Sequence, residues 1–160
     1  MKQEGVVIIG ASLAGASAAA ALREGGFDGA VEPIGAESRL PYNRPPLSKG
    51  YLRGQDRFED QLVNPADYYA QRDIDHRLGV RAISIDAKRK VVGLEGGEEV
   101  PYDRLLVATG GRNRALTTPG AELPGLFQLR RVIRARGPVD PGRLADEGLE
   151  LAWMVEGTPR

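Results

Sequence analysis

The sequence predicts an α/β fold built on a parallel sheet, and three observations carry the prediction. Val6, Val7, Ile8 and Ile9 make a short β-branched apolar run, typical of a parallel strand buried on both faces. Gly10 ends that run, and residues 14–23 (AGASAAAALR) follow as the strongest helix-forming stretch of the chain. A second buried parallel strand is expected over residues 104–108 (RLLVA), ending in the small residues Thr109, Gly110 and Gly111. Open α/β sheets bind ligands at such strand ends.

A strand, a tight glycine turn and a helix in succession point free backbone N–H groups and a helix dipole at a diphosphate. The spacing is G-x-S-x-x-G over Gly10, Ser12 and Gly15, with Ser12 standing where the dinucleotide fingerprint has its second glycine. An acidic residue about 20 positions on would hold ribose hydroxyls. Glu37 lies 22 residues after Gly15 (37 − 15), just past the apolar run at 30–34. The competing reading is a β-α-β unit whose glycines serve packing alone.

The whole chain narrows the classes. Its 160 residues suffice for one domain with a proper core. The 22 basic and 22 acidic residues give zero net charge, which argues against nucleic acid or an anionic membrane as the main partner. Met1, Lys2, Gln3 and Glu4 lead straight into the first strand, and no apolar run approaches the ~20 residues that span a bilayer, so a cytoplasmic location is expected. Cysteine is absent, which removes thiolate nucleophiles, disulfides and Cys-ligated metals. His76, the only histidine, lies between Asp75 and Arg77 and reads as an ordinary solvated side chain; no metal site is expected.

In chain order, Gly25, Gly26, Asp28 and Gly29 supply a helix cap and turn. Residues 30–34 form the second strand, where Pro33 conflicts with a ladder that needs its N–H, implying local irregularity or a damaged sequence. Residues 35–52 form a loop stiffened by Pro41, Pro45 and Pro46, the last opening a short helix. Within it, Arg44 and Lys49 are cations for phosphates or the edge of a redox ring, or plain surface charge. Asn64 and Pro65 start a helix reaching about Arg72. Short strands follow at 77–78, 82–86, 90–94 and 99–102, with a hairpin turn at Gly96 and Gly97.

Taken together, VVIIGASLAG, IGAESRLPYNRPPLSKGYL, YDRLLVATGGRNRAL and PGLFQLR resemble the N-terminal FAD-binding part of the flavoprotein ferredoxin reductases over about residues 5–130. The most specific run is PYxRPPLSK. These reductases belong with the two-dinucleotide-binding-domain flavoproteins and serve Rieske-type dioxygenases and bacterial haem monooxygenases. The resemblance implies a Rossmann-like FAD-binding domain with a parallel sheet and an inserted antiparallel β-meander. It implies electron transfer from NADH or NADPH through FAD to a ferredoxin or rubredoxin. It places Gly10, Ser12, Ala14 and Gly15 at the FAD pyrophosphate and Glu37 (or neighbouring Ala36) at the adenosine ribose. Arg44 and Lys49 would lie beside the pyrophosphate and flavin, Lys49 near the ring's N5 edge. Ala82 would meet adenine through its backbone, where the family prefers a larger β-branched residue, and Thr109, Gly110 and Arg130 would complete the site. Arg39, close after Glu37, allows an NADP-binding variant, which Glu37 opposes by repelling a 2′-phosphate.

The disulfide-reducing relatives carry a redox Cys pair where this chain reads LPYNRPPLSK, so electrons are expected to leave the flavin directly for an external acceptor. Hydride transfer to a flavin needs no acid–base side chain, and no catalytic residue is expected. Past Arg130 the pattern stops, with no second fingerprint for NADH. Residues 131–160, rich in Gly, Pro and Arg, read as a divergent, loosely ordered tail, such as a frame shift or early stop would leave on a truncated chain. Three expectations follow: a reductase-type FAD domain that turns over only with complementing elements, an autonomous dinucleotide-binding module, or a fragment that scarcely folds.

Overall fold

The computed structural model describes residues 4–124, 128–132 and 151–152, which fall in two compact units. The first comprises Met1–Asn43 and Leu62–Gly110. Its centre is β1 (Gly5–Ile9), followed by α1 (Leu13–Glu24) and β2 (Ala30–Gly35). A parallel sheet runs in the order β3-β2-β1-β7, with β3 at Arg77–Leu78 and β7 at Arg104–Val107. A separate antiparallel sheet is the predicted meander: β4 (Ala82–Asp86), β5 (Val91–Leu94) and β6 (Glu99–Pro101).

Strand alternation divides the core. Val6 and Ile8 face α1 and pack with Ala16, Ala19, Val31, Tyr69 and Ile74. Val7 and Ile9 point the other way and pack with Ile34 and the meander's Val92, Leu94 and Val100. The small α1 residues Ala16 and Ala19, fully buried, bring the helix close to the sheet. Arg23 ties the end of α1 to the loops beside it, donating to the carbonyls of Phe27, Gly29, Arg72 and Asp73 at 2.7 Å each. On the outer strand, Arg77 pairs with both Glu32 and Glu98. Burial raises the Glu32 carboxyl above its ordinary value, with Arg77 working against that.

Pro33 distorts nothing. It sits in β2 opposite Ile8, fully buried. Ala30 and Ile34 turn their polar groups toward β1: Ala30 N–H donates to Glu4 C=O at 3.0 Å and Gly10 N–H to Ile34 C=O at 2.8 Å. Val31 and Gly35 turn theirs the other way, to Asp75 N–H and Val80 N–H. Pro33 is in phase with Val31 and Gly35, so its missing donor falls on the β3 side. There the pairing is interrupted in any case, between the Val31–Ile74 bridge and Ile34–Arg77. The strand is regular and needs no damaged sequence to explain it.

Three other expectations are corrected. Residues 64–72 make turns and one 3-10 turn at Ala70–Arg72, not an α-helix. Asn64 spends its side chain on the Tyr69 hydroxyl (3.2 Å) instead of capping, and Asp73 takes a left-handed φ of 49° that ends the segment. A stretch this short cannot repay helix nucleation by itself. β7 is parallel as predicted, yet Leu106 and Val107 are 40% and 56% exposed. It is the last strand of its sheet, and among the described residues no strand pairs with its outer edge. His76 is half-buried rather than solvated, its ring edge-on to Tyr69 at 4.2 Å between centroids.

The second unit comprises Arg44–Gln61 and Gly111–Arg160. A 3-10 turn, Pro45–Ser48, forms where Pro46 predicts a short helix and buries Leu47. β8 (Gln128–Leu129) pairs antiparallel with β9 (Leu151–Ala152), and Val132 is buried. The rest of the expected loose tail, 133–150 and 153–160, lies outside the described residues.

Candidate functional site

The site of the first unit lies at the C-terminal ends of β1, β2 and β7. Gly10 leaves β1 with φ at +116°, a conformation that disfavours any side chain. A Cβ there would collide with the Ala108 carbonyl at the end of β7, and it would reach the Thr109 nitrogen at 3.1 Å. A Cβ on Gly15 would collide with the Gly10 carbonyl. Both glycines are therefore forced by close backbone approach. Ser12 is tolerated for an equally plain reason: its φ of −117° and ψ of −163° are extended backbone, open to any residue.

Ser12 is the N-cap of α1, and Ala16 N–H donates to its carbonyl at 2.8 Å. The N–H groups of Leu13, Ala14 and Gly15 precede that first intrahelical bond. Ala14 is exposed and Gly15 buried. No acidic residue occupies the first turn, so the positive end of the helix dipole is not offset there.

Glu37 lies two residues past the end of β2, the strand that pairs with β1. Its carbonyl accepts Gly79 N–H at 3.0 Å, and its Oε2 accepts the Tyr42 hydroxyl at 2.5 Å. Ala82 opens β4, two residues beyond Val80, which is bonded to the Gly35 carbonyl at 3.0 Å. Thr109 and Gly110 are exposed just past β7, Gly110 with φ at +69°. Gly10, Ser12, Ala14, Gly15, Glu37, Thr109 and Gly110 thus share one end of the parallel sheet, with Ala82 on the segment leaving it. A backbone cradle that side chains would fill, a helix start and a carboxylate just past the adjacent strand fit the diphosphate and ribose of an adenine dinucleotide.

The remaining predicted residues belong to the second unit. Arg44 donates to the carbonyl of Arg130, so these two are brought together. Lys49 is exposed and folds its ammonium back on the Pro45 carbonyl at 3.0 Å. Sequence reasoning missed Tyr42. Its signal was an aromatic residue between Pro41 and the rest of the PYNRPPLSK run, and it is 4% exposed.

The sequence pattern of the pyridine nucleotide-disulphide oxidoreductases matches residues 4–143. The chain belongs to that family. It is 42% identical over 125 residues to rhodocoxin reductase of Rhodococcus erythropolis, covering 78% of this chain and 29% of that protein. It is 40% identical over 131 residues to rubredoxin-NAD(+) reductase of Pseudomonas putida, covering 82% and 34%. The crystal structure of a ferredoxin reductase from Rhodopseudomonas palustris superposes with a TM-score of 0.73 at 36% identity, over 80% of this chain and 31% of that one. The chain thus spans about a third of the length of these relatives. Its Rossmann-like sheet and small antiparallel sheet are those the resemblance implied. Among the described residues no helix is long and apolar enough to cross a membrane, and no cluster suited to a metal ion occurs.

Proposed function

We propose that this chain is the FAD-binding part of an NADH- or NADPH-dependent reductase that delivers electrons to a ferredoxin- or rubredoxin-type acceptor. The observation that carries the reading is the cradle at Gly10 and Gly15 with Glu37 just past the neighbouring strand β2. Gly10, Ser12, Ala14 and Gly15 would hold the pyrophosphate, Glu37 the adenosine ribose, and Ala82 the adenine edge. Thr109 and Gly110 would close the near end of the site, and Arg44, Lys49 and Arg130 would serve the phosphates and flavin. FAD, when bound, supplies the redox chemistry; the protein's share is binding, orientation and charge. The acceptor class is supported by the relatives, whose names include rubredoxin and ferredoxin reductases.

A second reading, a flavin-binding module without turnover, is favoured by the exposed Leu106 and Val107 on β7. The test is an absorbance spectrum from about 300 to 550 nm, where bound flavin absorbs, taken after FAD loading and gel filtration. Retained flavin bands that bleach on adding NADH support the reductase reading. Bands that persist with both NADH and NADPH support the module. A colourless protein overturns both.

A further inference from the structure

Among the predicted ligands of the first unit, Glu37 has the longest and most flexible side chain, so its usefulness depends on where that side chain points. A free glutamate is costly to order, and a ligand that must order it gives up part of its affinity. Here the carboxylate is held before any ligand arrives. The Tyr42 hydroxyl donates to Oε2 at 2.5 Å, the length of a charge-assisted O–H···O bond. Tyr42 is itself a rigid post: its ring is buried, its backbone bridges to Leu62, and the preceding Pro41 carbonyl accepts Val63 N–H at 2.9 Å. The Glu37 backbone is pinned separately by Gly79. A carboxylate has about four acceptor positions, so one bond to Tyr42 does not exhaust it.

We propose that Tyr42 is a positioning residue for Glu37, aiming its carboxylate at the adenosine ribose hydroxyls. The role rests on the proposed FAD reading. It also bears on ligand choice, because a carboxylate fixed in this place repels a 2′-phosphate more than one free to swing away.

The test is a double-mutant cycle of Tyr42→Phe and Glu37→Gln on the FAD dissociation constant, read by flavin fluorescence. Tyr42→Phe keeps the ring in its packing and removes only the hydroxyl. It is expected to weaken FAD roughly tenfold in the wild-type background, the scale of one charge-assisted bond, and less than about twofold in the Glu37→Gln background. A phenolic proton in slow exchange, seen by NMR in ligand-free protein and absent in Tyr42→Phe, would report the bond without flavin. Equal losses in both backgrounds, or undiminished FAD affinity in Tyr42→Phe, overturn the positioning role while leaving the FAD site intact. A wild-type protein that holds no FAD overturns the proposed function and this role with it.

Discussion

β1 has two parallel neighbours, and they live in different surroundings. On one side lies β2, with Val31, Pro33 and Ile34 almost fully buried. On the other lies β7, paired with β1 over four residue positions yet exposing Leu106 and Val107. The residues are equally apolar, and the difference lies in what covers them. α1 and the segment bearing Tyr69 and Ile74 pack on one face of β1 and β2, and the meander packs on the other. On β7 only Leu105 reaches the meander cluster, and Leu106 and Val107 stay exposed among the described residues. An apolar strand reports that it can be buried; it does not report what will bury it.

Truncations on the two sides sharpen that contrast most. Ile8 is fully buried, and Ile8→Ala should cost about 2–5 kcal/mol, through lost transfer energy and the cavity left behind. Val107→Ala, at a position 56% exposed, should cost no more than about 0.5 kcal/mol. Urea unfolding of both variants measures the pair. Equal losses would mean that β7 is covered in solution by something outside the described residues. Exposed apolar edge strands also invite association, so Val107→Lys should lower light scattering without lowering the unfolding midpoint.

The legible parts of the molecule are those fixed by local chemistry. Gly10 and Gly15 announced a cradle because no other residue fits two backbones in near contact, and the hairpin glycines Gly96 and Gly97 take φ of 97° and 91°. The illegible parts depended on distant partners. Asn64 and Pro65 look like a helix start, but Asn64 bonds the Tyr69 hydroxyl and the chain turns to deliver Ile74 to β2. His76 looked polar between Asp75 and Arg77, and only the fold sets it against Tyr69. Tyr42 gave no sign that its hydroxyl reaches back to Glu37. Neither Arg44 nor Arg130 showed in the sequence that the guanidinium of one would hold the backbone of the other.

His76 makes the covered side of the sheet sensitive to acid. Its Nε2 is buried without a hydrogen-bond partner among the described residues, and burial lowers its basicity, with Asp75 acting the other way. The folded protein therefore disfavours the imidazolium, and the unfolded chain takes up the proton first. Stability from this source is complete above pH 6.5, the ordinary histidine value, and is lost as pH falls through 6.5 toward the lowered folded value. His76→Phe, which keeps an aromatic ring against Tyr69, should flatten the stability profile between about pH 7 and 5. An NMR titration of this sole histidine gives the folded value directly, and a midpoint at or above 6.5 would remove the explanation.

At Pro33 the two flanks of one strand can be told apart by a single donor. Its nitrogen faces β3, where pairing lapses between Val31–Ile74 and Ile34–Arg77, while Ala30 and Ile34 maintain the bonds to β1. Pro33→Val restores an N–H on the β3 side and nearly conserves buried volume. If the new donor finds a carbonyl on the 74–77 segment, stability should rise by about 0.5–1.5 kcal/mol, less the entropy that proline removes from the unfolded chain, about 0.4–1 kcal/mol. The net change should then lie within about 1 kcal/mol of zero. Hydrogen exchange separates the two contributions: the new amide at position 33 should be protected in the variant, and protection between β1 and β2 should stay unchanged. A loss of protection at Ile8 and Ile9 would instead mean that proline shapes the β1 side, and that the ladder there depends on more than the bonds of Ala30 and Ile34.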